Sequence, residues 1–344
     1  MDDASKPMTF EVERSSVRPA DPVPAEEGRL RRTDSAARAF TLIAGSALAQ
    51  IAANAAVLRE ARRLEAVHQL RVGLRRLRGA ISLFAPMLEG EGCERVKAEL
   101  KWMTKELNDA RNLDVFIAET FRPAARRHRD WTGMAALGKA LLTAQTKAYD
   151  RAQTAARSAR FGVLMLETTD WVEAGDWRKN ADPKRIALRG RPISKLAPEL
   201  LSESLKKVLK RGRKLEKLDP EARHKLRLDA KQLRYGTGFF ADLYTGDQGK
   251  THRRFDRAMR GLQSTLGELT DIATAAELSA EVVGACDVDA AAPAQAHPSQ
   301  AHPSQALAAF AAGLVAAHRA AGEADAKAAA LKAYRTFEKA QPFW

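Results

Sequence analysis

One pattern of residues occurs twice in this chain, and the repetition constrains the fold more than any other feature. Residues 68–84 and residues 224–240 both read H-x-L-R-x-x-x-[RK]-x-L-R-x-x-x-x-[LF]-F. The spacing of the apolar positions matches an α-helix with one buried face. Unconstrained mutation of a solvated surface would not keep histidine, arginine and leucine at the same spacing in both halves. The repeat therefore indicates two equivalent structural units.

Each copy places one histidine and three cations on a single helical face. At roughly 100° per residue, positions i, i+3, i+7 and i+10 fall within an arc of about 80°. We call these faces the basic stripes, and together they indicate an anion site. The first stripe consists of His68, Arg71, Arg75 and Arg78, and the second of His224, Arg227, Lys231 and Arg234. For either copy alone, a solvated basic surface is the alternative.

The overall charge narrows the class of partner. The chain has 57 Lys and Arg against 43 Asp and Glu, a formal net charge of +14. Such an excess favours a polyanion or an anionic membrane surface as the partner. Eight further cations are predicted to form a secondary set of ligands, provided that their helices line one groove together with the basic stripes. They are Arg76, Lys101, Lys105, Lys206, Lys210, Arg213, Arg253 and Arg257. Solvated surface is again the alternative for these clusters.

The sequence predicts an all-α protein without strands. Residues 1–33 lack apolar periodicity and predict a flexible tail. Residues 34–340 are predicted as one helical domain with a first half at about 36–170, a second half at about 194–338, and a low-complexity loop at about 287–305. Helices are expected at about 35–60, 64–88, 92–108, 111–121, 132–168, 196–217, 220–243, 250–283 and 306–338, with Asp219 and Pro220 starting one of them.

No cofactor or metal is expected. Cys93 and Cys286 stand alone, so neither a zinc site nor a disulfide framework is indicated. His297 and His302 lie in a tandem Ala-His-Pro-Ser-Gln repeat, where sequence slippage explains them better than metal binding. No secretory signal is recognisable, and residues 40–58 are interpreted as a buried helix rather than a membrane span. A cytoplasmic protein without membrane insertion is expected.

Several separated motifs in this sequence resemble the CHAD family, the conserved histidine α-helical domain. They are the two His-x-Leu-Arg helices, Asn54 upstream, and the segments at 107–114 and 262–271 that follow the two copies. The resemblance covers about residues 36–338. It implies two helical bundles related by an approximate two-fold axis around a central basic channel. It also implies binding of inorganic polyphosphate through the stripe residues and an association with polyphosphate granules.

Physical chemistry supports such a ligand and leaves two rivals open. A linear phosphate chain offers only oxygen acceptors, which arginine binds in bidentate geometry and lysine as a point charge. A nucleic-acid-binding protein is the first rival, although aromatic residues are only 6% of the chain. The second rival is a phosphoanhydride hydrolase or its regulatory subunit, with Asp109, Asp114, Glu268 and Asp271 as candidate carboxylates. The expectation is a non-enzymatic binding protein. The two histidines are either protonated donors to the ligand or helix-packing residues.

Overall fold

The structure is a computed structural model that describes residues 21–24, 29–128, 132–285, 313, 317 and 321–344. Within these residues the secondary structure is helical without any strand, which confirms the all-α class. The α-helices are α1 Ala36–Glu60, α2 Leu64–Leu83, α3 Ala85–Leu88, α4 Glu91–Glu106, α5 Asn108–Phe116, α6 Arg122–Arg127, α7 Thr132–Arg157, α8 Ala159–Ala174, α9 Asp176–Lys179, α10 Pro183–Gly190, α11 Ile193–Gly212, α12 Pro220–Phe239, α13 Gly246–Ala285 and α14 Glu323–Glu338.

Side-chain caps fix the starts of α12, α1 and α8. The Asp219 carboxylate accepts a hydrogen bond from the Ala222 N–H at 2.7 Å, and Pro220 is the first residue of α12. This start was predicted and is confirmed. The hydroxyls of Ser35 and Ser158 cap α1 and α8 in the same manner. Such caps satisfy backbone donors that have no partner within the helix.

Helix boundaries differ from the prediction in several places. The expected helices at 111–121, 196–217 and 220–243 correspond to α5, α11 and α12, each followed by a separate short helical turn of another type. The expected helix at 132–168 is divided into α7 and α8, because Ser158 caps a new helix there. The expected helix at 64–88 is likewise divided, into α2 and α3. The expected break at 175–192 contains the short helices α9 and α10, the second of which starts at an aspartate cap followed by proline. The predicted loop at 287–305 lies outside the described residues.

Part of the predicted N-terminal tail is docked on the helices. The Asn54 amide donates to the Val23 carbonyl at 2.8 Å and accepts from the Val23 N–H at 3.1 Å. Leu30 is buried, and the Arg32 guanidinium donates to the Leu243 carbonyl at 2.8 Å. The prediction of a flexible tail over residues 1–33 is therefore wrong for these positions. Residues 1–20 and 25–28 lie outside the described residues.

The helices pack into two groups. In the first group α1 lies along α2, and α4, α5, α7 and α8 pack around this pair. In the second group α11 packs on α12, α12 on α13, and α13 on α14. The two groups meet where α2 contacts α12 and where α7 contacts α13. This packing is compatible with halves at 36–170 and 194–338, and that division stays a prediction.

Helix α1 is the one helix among the described residues that is long and apolar enough to cross a membrane. Its length and mean hydropathy of 1.6 meet the criterion for a membrane-crossing helix. However, 56% of its most apolar 18-residue window is buried inside the protein. The core helix of a soluble protein meets the same criterion, so α1 is weak evidence for a span. The absence of membrane insertion stays a prediction.

Candidate polyanion site

Helices α2 and α12 contact each other through equivalent positions of the two sequence copies. The pattern aligns Gly79 with Tyr235 and Phe84 with Phe240. The rings of Phe84 and Phe240 meet edge to face, with centroids 6.1 Å apart. A Cβ added at Gly79 would lie 3.4 Å from Tyr235 Cδ2, and the Gln232 amide donates to the Gly79 carbonyl at 2.8 Å. Contacts between equivalent residues indicate a local two-fold axis at this crossing.

Four half-buried cations of the basic stripes interact across this crossing: Arg71, Arg75, Arg227 and Lys231. Burial is the largest cause of the lowered pKa values of Arg71 and Lys231. Charges on the opposite helix add to it, because Arg227 acts on Arg71 and Arg75 acts on Lys231. These are again equivalent positions of the repeat. The two stripes therefore face each other, and we call these four residues the cationic cluster.

Burial and mutual repulsion change the protonation of the cationic cluster. The pKa of Arg71 falls from 12.5 to about 10, and that of Lys231 falls from 10.5 to about 7. Burial contributes most because it removes water from the charged form, and neighbouring cations add to the shift. The Asp271 carboxylate opposes the shift of Lys231 without cancelling it. At neutral pH Lys231 is thus close to its titration midpoint in the ligand-free protein.

The cluster lacks the acidic partners that usually accompany buried cations. Among the described residues, no carboxylate oxygen lies within 4 Å of a nitrogen of the four cluster side chains. The Nε atoms of Arg75 and Arg227 are buried without a hydrogen-bond acceptor in the same part of the chain. A buried donor without an acceptor costs about 1–3 kcal/mol. An anionic ligand would supply both the missing acceptors and the missing negative charge.

The two predicted histidines flank the cluster on opposite helices. Burial is the largest cause of a lowered pKa for both His68 and His224. The next causes are the charges of Arg111 for His68 and of Arg227 for His224. Since both pKa values lie below the ordinary 6.5, both imidazoles are mainly neutral at pH 7 without a ligand. Their contact with a ligand stays a prediction.

Arg111 is the functional candidate that the sequence interpretation missed. It lies half-buried on α5. Its charge is the second-largest cause of the lowered pKa of His68, behind burial. It is the third-largest cause for Arg71, behind burial and the charge of Arg75. The Arg71 guanidinium also donates to the Leu107 carbonyl at 3.2 Å, at the junction of α4 and α5. The segment at 107–114 could have identified this arginine as a candidate, because it carries part of the family resemblance. Arg111 was not among the predicted ligand residues.

The remaining stripe arginines and Arg76 have different environments. Arg78 is exposed at the end of the first stripe. Arg234 is half-buried, with its guanidinium carbon 5.6 Å from the centre of the Tyr235 ring. Arg76 is only 7% exposed, and its guanidinium carbon lies 5.8 Å from the centre of the Phe239 ring. The structure thus places Arg76 in the interior, so ligand contact by this member of the secondary set requires entry between the helices.

All other members of the secondary set lie on exposed surfaces. These residues are distributed over three helices. Among them, only Arg213 forms an ion pair with a described residue, Glu338, at 3.8 Å. The exposed residues are Lys101 and Lys105 on α4, Lys206, Lys210 and Arg213 on α11 and its C-cap, and Arg253 and Arg257 on α13. Their part in ligand binding stays a prediction.

The candidate catalytic carboxylates have structural partners. Asp109 forms an ion pair with Arg151 at 2.7 Å. Asp114 is buried and accepts hydrogen bonds from Gln145 at 2.7 Å and Tyr149 at 2.8 Å. In the part of the chain that the structure describes, no group of three or more His, Cys, Asp or Glu residues is arranged to hold a metal ion. These contacts explain Asp109 and Asp114 without a hydrolytic role.

The fold and the site define an all-helical protein in which two repeat-related helices bring half-buried cations together. The sequence model of the CHAD domain family matches residues 42–280 of this chain. Because this match spans more than half of the 344 residues, the chain belongs to the CHAD domain family. That family is known in general for polyphosphate binding.

Solved structures agree with this assignment. The chain is similar to the crystal structure of the CHAD domain from the plant Ricinus communis, with 25% identity and a TM-score of 0.72, over 92% of this chain and 96% of that one. It is also similar to PptA from Streptomyces chartreusis, with 17% identity and a TM-score of 0.58, over 88% of this chain and 100% of that one. The second likeness shows the fold alone. No curated protein matches this chain.

Proposed function

We propose that this protein binds inorganic polyphosphate along the two basic stripes and does not catalyse a reaction on it. The observation that carries this proposal is the cationic cluster, in which side chains from both copies converge and form no ion pair within 4 Å among the described residues. Like charges held together in this way raise the energy of the ligand-free state. A polyanion stabilises them, and the space between the stripes is the proposed basic channel.

The composition of the site favours a phosphate chain over nucleic acid. Guanidinium groups and an ammonium group supply donors for oxygen acceptors, and a polyphosphate offers no other group to recognise. Single-stranded nucleic acid is usually bound with aromatic rings on which the bases stack. The ring beside the second stripe, Tyr235, already packs against Gly79 and is stacked with Phe239 at 6.2 Å between centroids. The site therefore binds the charge of a polyanion rather than its bases.

Cellular location follows from the same proposal. A cytoplasmic protein that binds polyphosphate through a buried cluster would concentrate on polyphosphate granules. Fluorescence microscopy of the tagged protein tests this, because replacement of the cluster residues should disperse the signal. A tagged variant with an intact cluster and an altered exposed surface is the control.

Selectivity is the first test of the proposed function. We expect calorimetric titration at about 0.15 M salt, where surface charges are screened as in the cell, to give tight binding of long-chain polyphosphate. Single-stranded and duplex DNA at matched charge should bind at least tenfold more weakly. Equal or tighter binding of DNA would replace the proposal with nucleic-acid binding. Release of orthophosphate from polyphosphate in the presence of Mg²⁺ would contradict the non-catalytic role.

Polyphosphate affinity should fall as the pH rises above about 7, because Lys231 then loses its proton in the free protein and must regain it to be charged beside the ligand. Its pKa, lowered to about 7 first by burial and then by neighbouring arginines, leaves a window up to the ordinary value of 10.5. Within that window binding takes up a proton, which weakens binding by up to about tenfold per pH unit. Titrations at pH 7, 8 and 9 measure this slope.

The Lys231→Arg variant is the matched control for this prediction, because it keeps the charge and removes the titration. Its affinity should lose the Lys231 component of the slope. The free energy of unfolding should depend on pH in the opposite direction to the affinity. Between about pH 7 and 10.5 the unfolded chain binds more protons at this lysine than the folded chain, so the ligand-free wild type gains stability as the pH rises. An identical pH slope in both proteins would show that Lys231 does not titrate with binding.

A further inference from the structure

The two halves of the cationic cluster rest on equivalent segments of the chain. The Arg71 guanidinium donates to the Leu107 carbonyl at 3.2 Å, at the junction of α4 and α5. In the other half, a Cβ added at Gly267 of α13 would lie 3.9 Å from Nη2 of Arg227. Arg71 and Arg227 are equivalent positions of the repeat. The segment that begins at Leu107 therefore corresponds to the segment that begins at Leu266.

One face of α13 lies against α12 beside the second stripe. The Gln263 amide donates to the Ala230 carbonyl of α12 at 2.6 Å. Gln263, Gly267 and Asp271 are spaced at i, i+4 and i+8, so they share one face of α13. The first two lie against α12, and Asp271 follows one turn beyond Gly267 on the same face, half-buried. The carboxylate of Asp271 is therefore placed beside the second stripe.

The two equivalent segments differ in charge. With the segments aligned, Arg111 of α5 corresponds to Thr270 of α13, and Asn112 corresponds to Asp271. The first half thus has an additional cation and the second half an additional anion, each at a position where the other half has an uncharged residue. The two stripes match in charge, whereas the helices beside them do not.

These additional charges act on the cluster in opposite directions. Burial is the largest influence on the lowered pKa of Arg227, and the Asp271 carboxylate comes next and acts to raise it. The pKa of Lys231 is lowered first by burial and then by neighbouring arginines, and Asp271 again acts to raise it. For Arg71, burial comes first and the charges of neighbouring arginines follow, Arg111 among them. Asp271 thus stabilises the charged ligand-free second half, whereas Arg111 destabilises the first half.

A carboxylate also lies near the first stripe, but it has another partner. Asp109 acts to raise the pKa of Arg71, which is lowered first by burial. The same carboxylate forms an ion pair with Arg151 of α7 at 2.7 Å. A cation outside the stripes therefore balances the charge of Asp109. Arg111 thus favours phosphate binding in the first half, and Asp271 opposes it in the second half.

We propose that polyphosphate occupies two unequal subsites: a strong subsite on α2 and α5, and a weak subsite on α12, where the Asp271 carboxylate of α13 repels the phosphate chain. A carboxylate beside a phosphate group raises the energy of the bound state, and a guanidinium lowers it. A short phosphate chain therefore binds the strong subsite, and only a longer chain gains from both. This inference rests on the proposed function and ranks the two parts of the same site.

The equivalent arginines provide the first test. Replacing Arg71 or Arg227 by alanine removes the same group from one subsite or the other. In calorimetric titrations of the full-length protein with tripolyphosphate, Arg71→Ala should weaken binding about tenfold or more, since it removes a hydrogen bond to a charged group. Arg227→Ala should weaken binding less than about threefold. If an alanine variant is unstable, Arg71→Lys and Arg227→Lys repeat the comparison, because lysine keeps the charge without the bidentate geometry.

Asp271 provides the second test, with a control on the same helix. Removing Asp271 would also lower the pKa of Lys231 further, so both variants are made in the Lys231→Arg background, where the charge is fixed. In this background Asp271→Asn should bind tripolyphosphate about three- to tenfold more tightly, because the weak subsite loses its repulsion. Glu268→Gln removes an exposed carboxylate of α13 and changes the net charge equally. It should change the affinity by less than about twofold.

Two results would overturn this inference without contradicting the proposed function. The first is a loss of affinity in Arg227→Ala that equals or exceeds the loss in Arg71→Ala. The second is an Asp271→Asn variant that binds no more tightly than the Glu268→Gln control. In both cases the wild type still binds polyphosphate. A wild type that binds neither tripolyphosphate nor long-chain polyphosphate would contradict the proposed function itself, and the subsites with it.

Discussion

We expect polyphosphate binding to be lost, with helical content preserved, when the four residues of the cationic cluster are replaced by alanine: Arg71, Arg75, Arg227 and Lys231. A hydrogen bond to a charged group contributes about 1.5–3 kcal/mol, so four lost contacts amount to at least about 6 kcal/mol. That corresponds to roughly four orders of magnitude in Kd. Calorimetry measures the affinity, and circular dichroism measures the helical content.

Thermal unfolding distinguishes this loss from misfolding. The cluster is repulsive in the ligand-free protein, so its removal should leave the Tm unchanged or raise it. The control replaces four exposed lysines outside both predicted ligand sets, namely Lys139, Lys184, Lys195 and Lys339. It lowers the net charge by the same amount and should weaken binding less than tenfold. A quadruple cluster variant that folds and binds normally would show that the stripes are not the site.

Polyphosphate affinity should also depend steeply on salt. Neutralising phosphates with protein cations releases bound counterions, and for a single-stranded polyanion log K falls with log salt by about 0.7 per contact. The stripes contain six Lys or Arg residues. If all six bind, the slope is about −4, and affinity falls about 300-fold between about 50 and about 200 mM salt.

The cluster variant provides the internal check on this slope. With four of six cations removed, the slope of its remaining weak binding should fall to between about −1 and −2. A wild-type slope near −1 would contradict a multivalent site. A slope that does not change between the two proteins would mean that the bound phosphates lie on other cations, such as the exposed Lys206, Lys210 and Arg213 of α11 and its C-cap.

The repeat in the sequence predicted the class of fold and the faces of the two helices correctly. Helical periodicity requires only local spacing, so the stripe register follows from the sequence itself. The contact between α2 and α12 through Phe84 and Phe240 follows in hindsight, because equivalent residues of two related units meet on their shared axis. The boundary errors have local causes, such as the serine cap that divides α7 from α8.

The sequence did not reveal the properties that depend on tertiary packing. Arg111 lies beyond the repeat and reaches the first stripe only because α5 folds back beside α2. Arg76 was grouped with ligand cations, yet packing places it in the interior beside Phe239. The altered protonation of Lys231 depends on burial and on charges from both helices. None of these follows from the spacing of residues along one helix.

The most direct test of the stripe site is an experimental structure of the protein with bound polyphosphate. We predict a phosphate chain between α2 and α12, with phosphate oxygens within hydrogen-bond distance of Arg71, Arg75 and Arg227. Arg111 is expected to contact the same chain from α5. A phosphate chain bound only to the exposed lysines of α11, with the cationic cluster empty, would contradict the account.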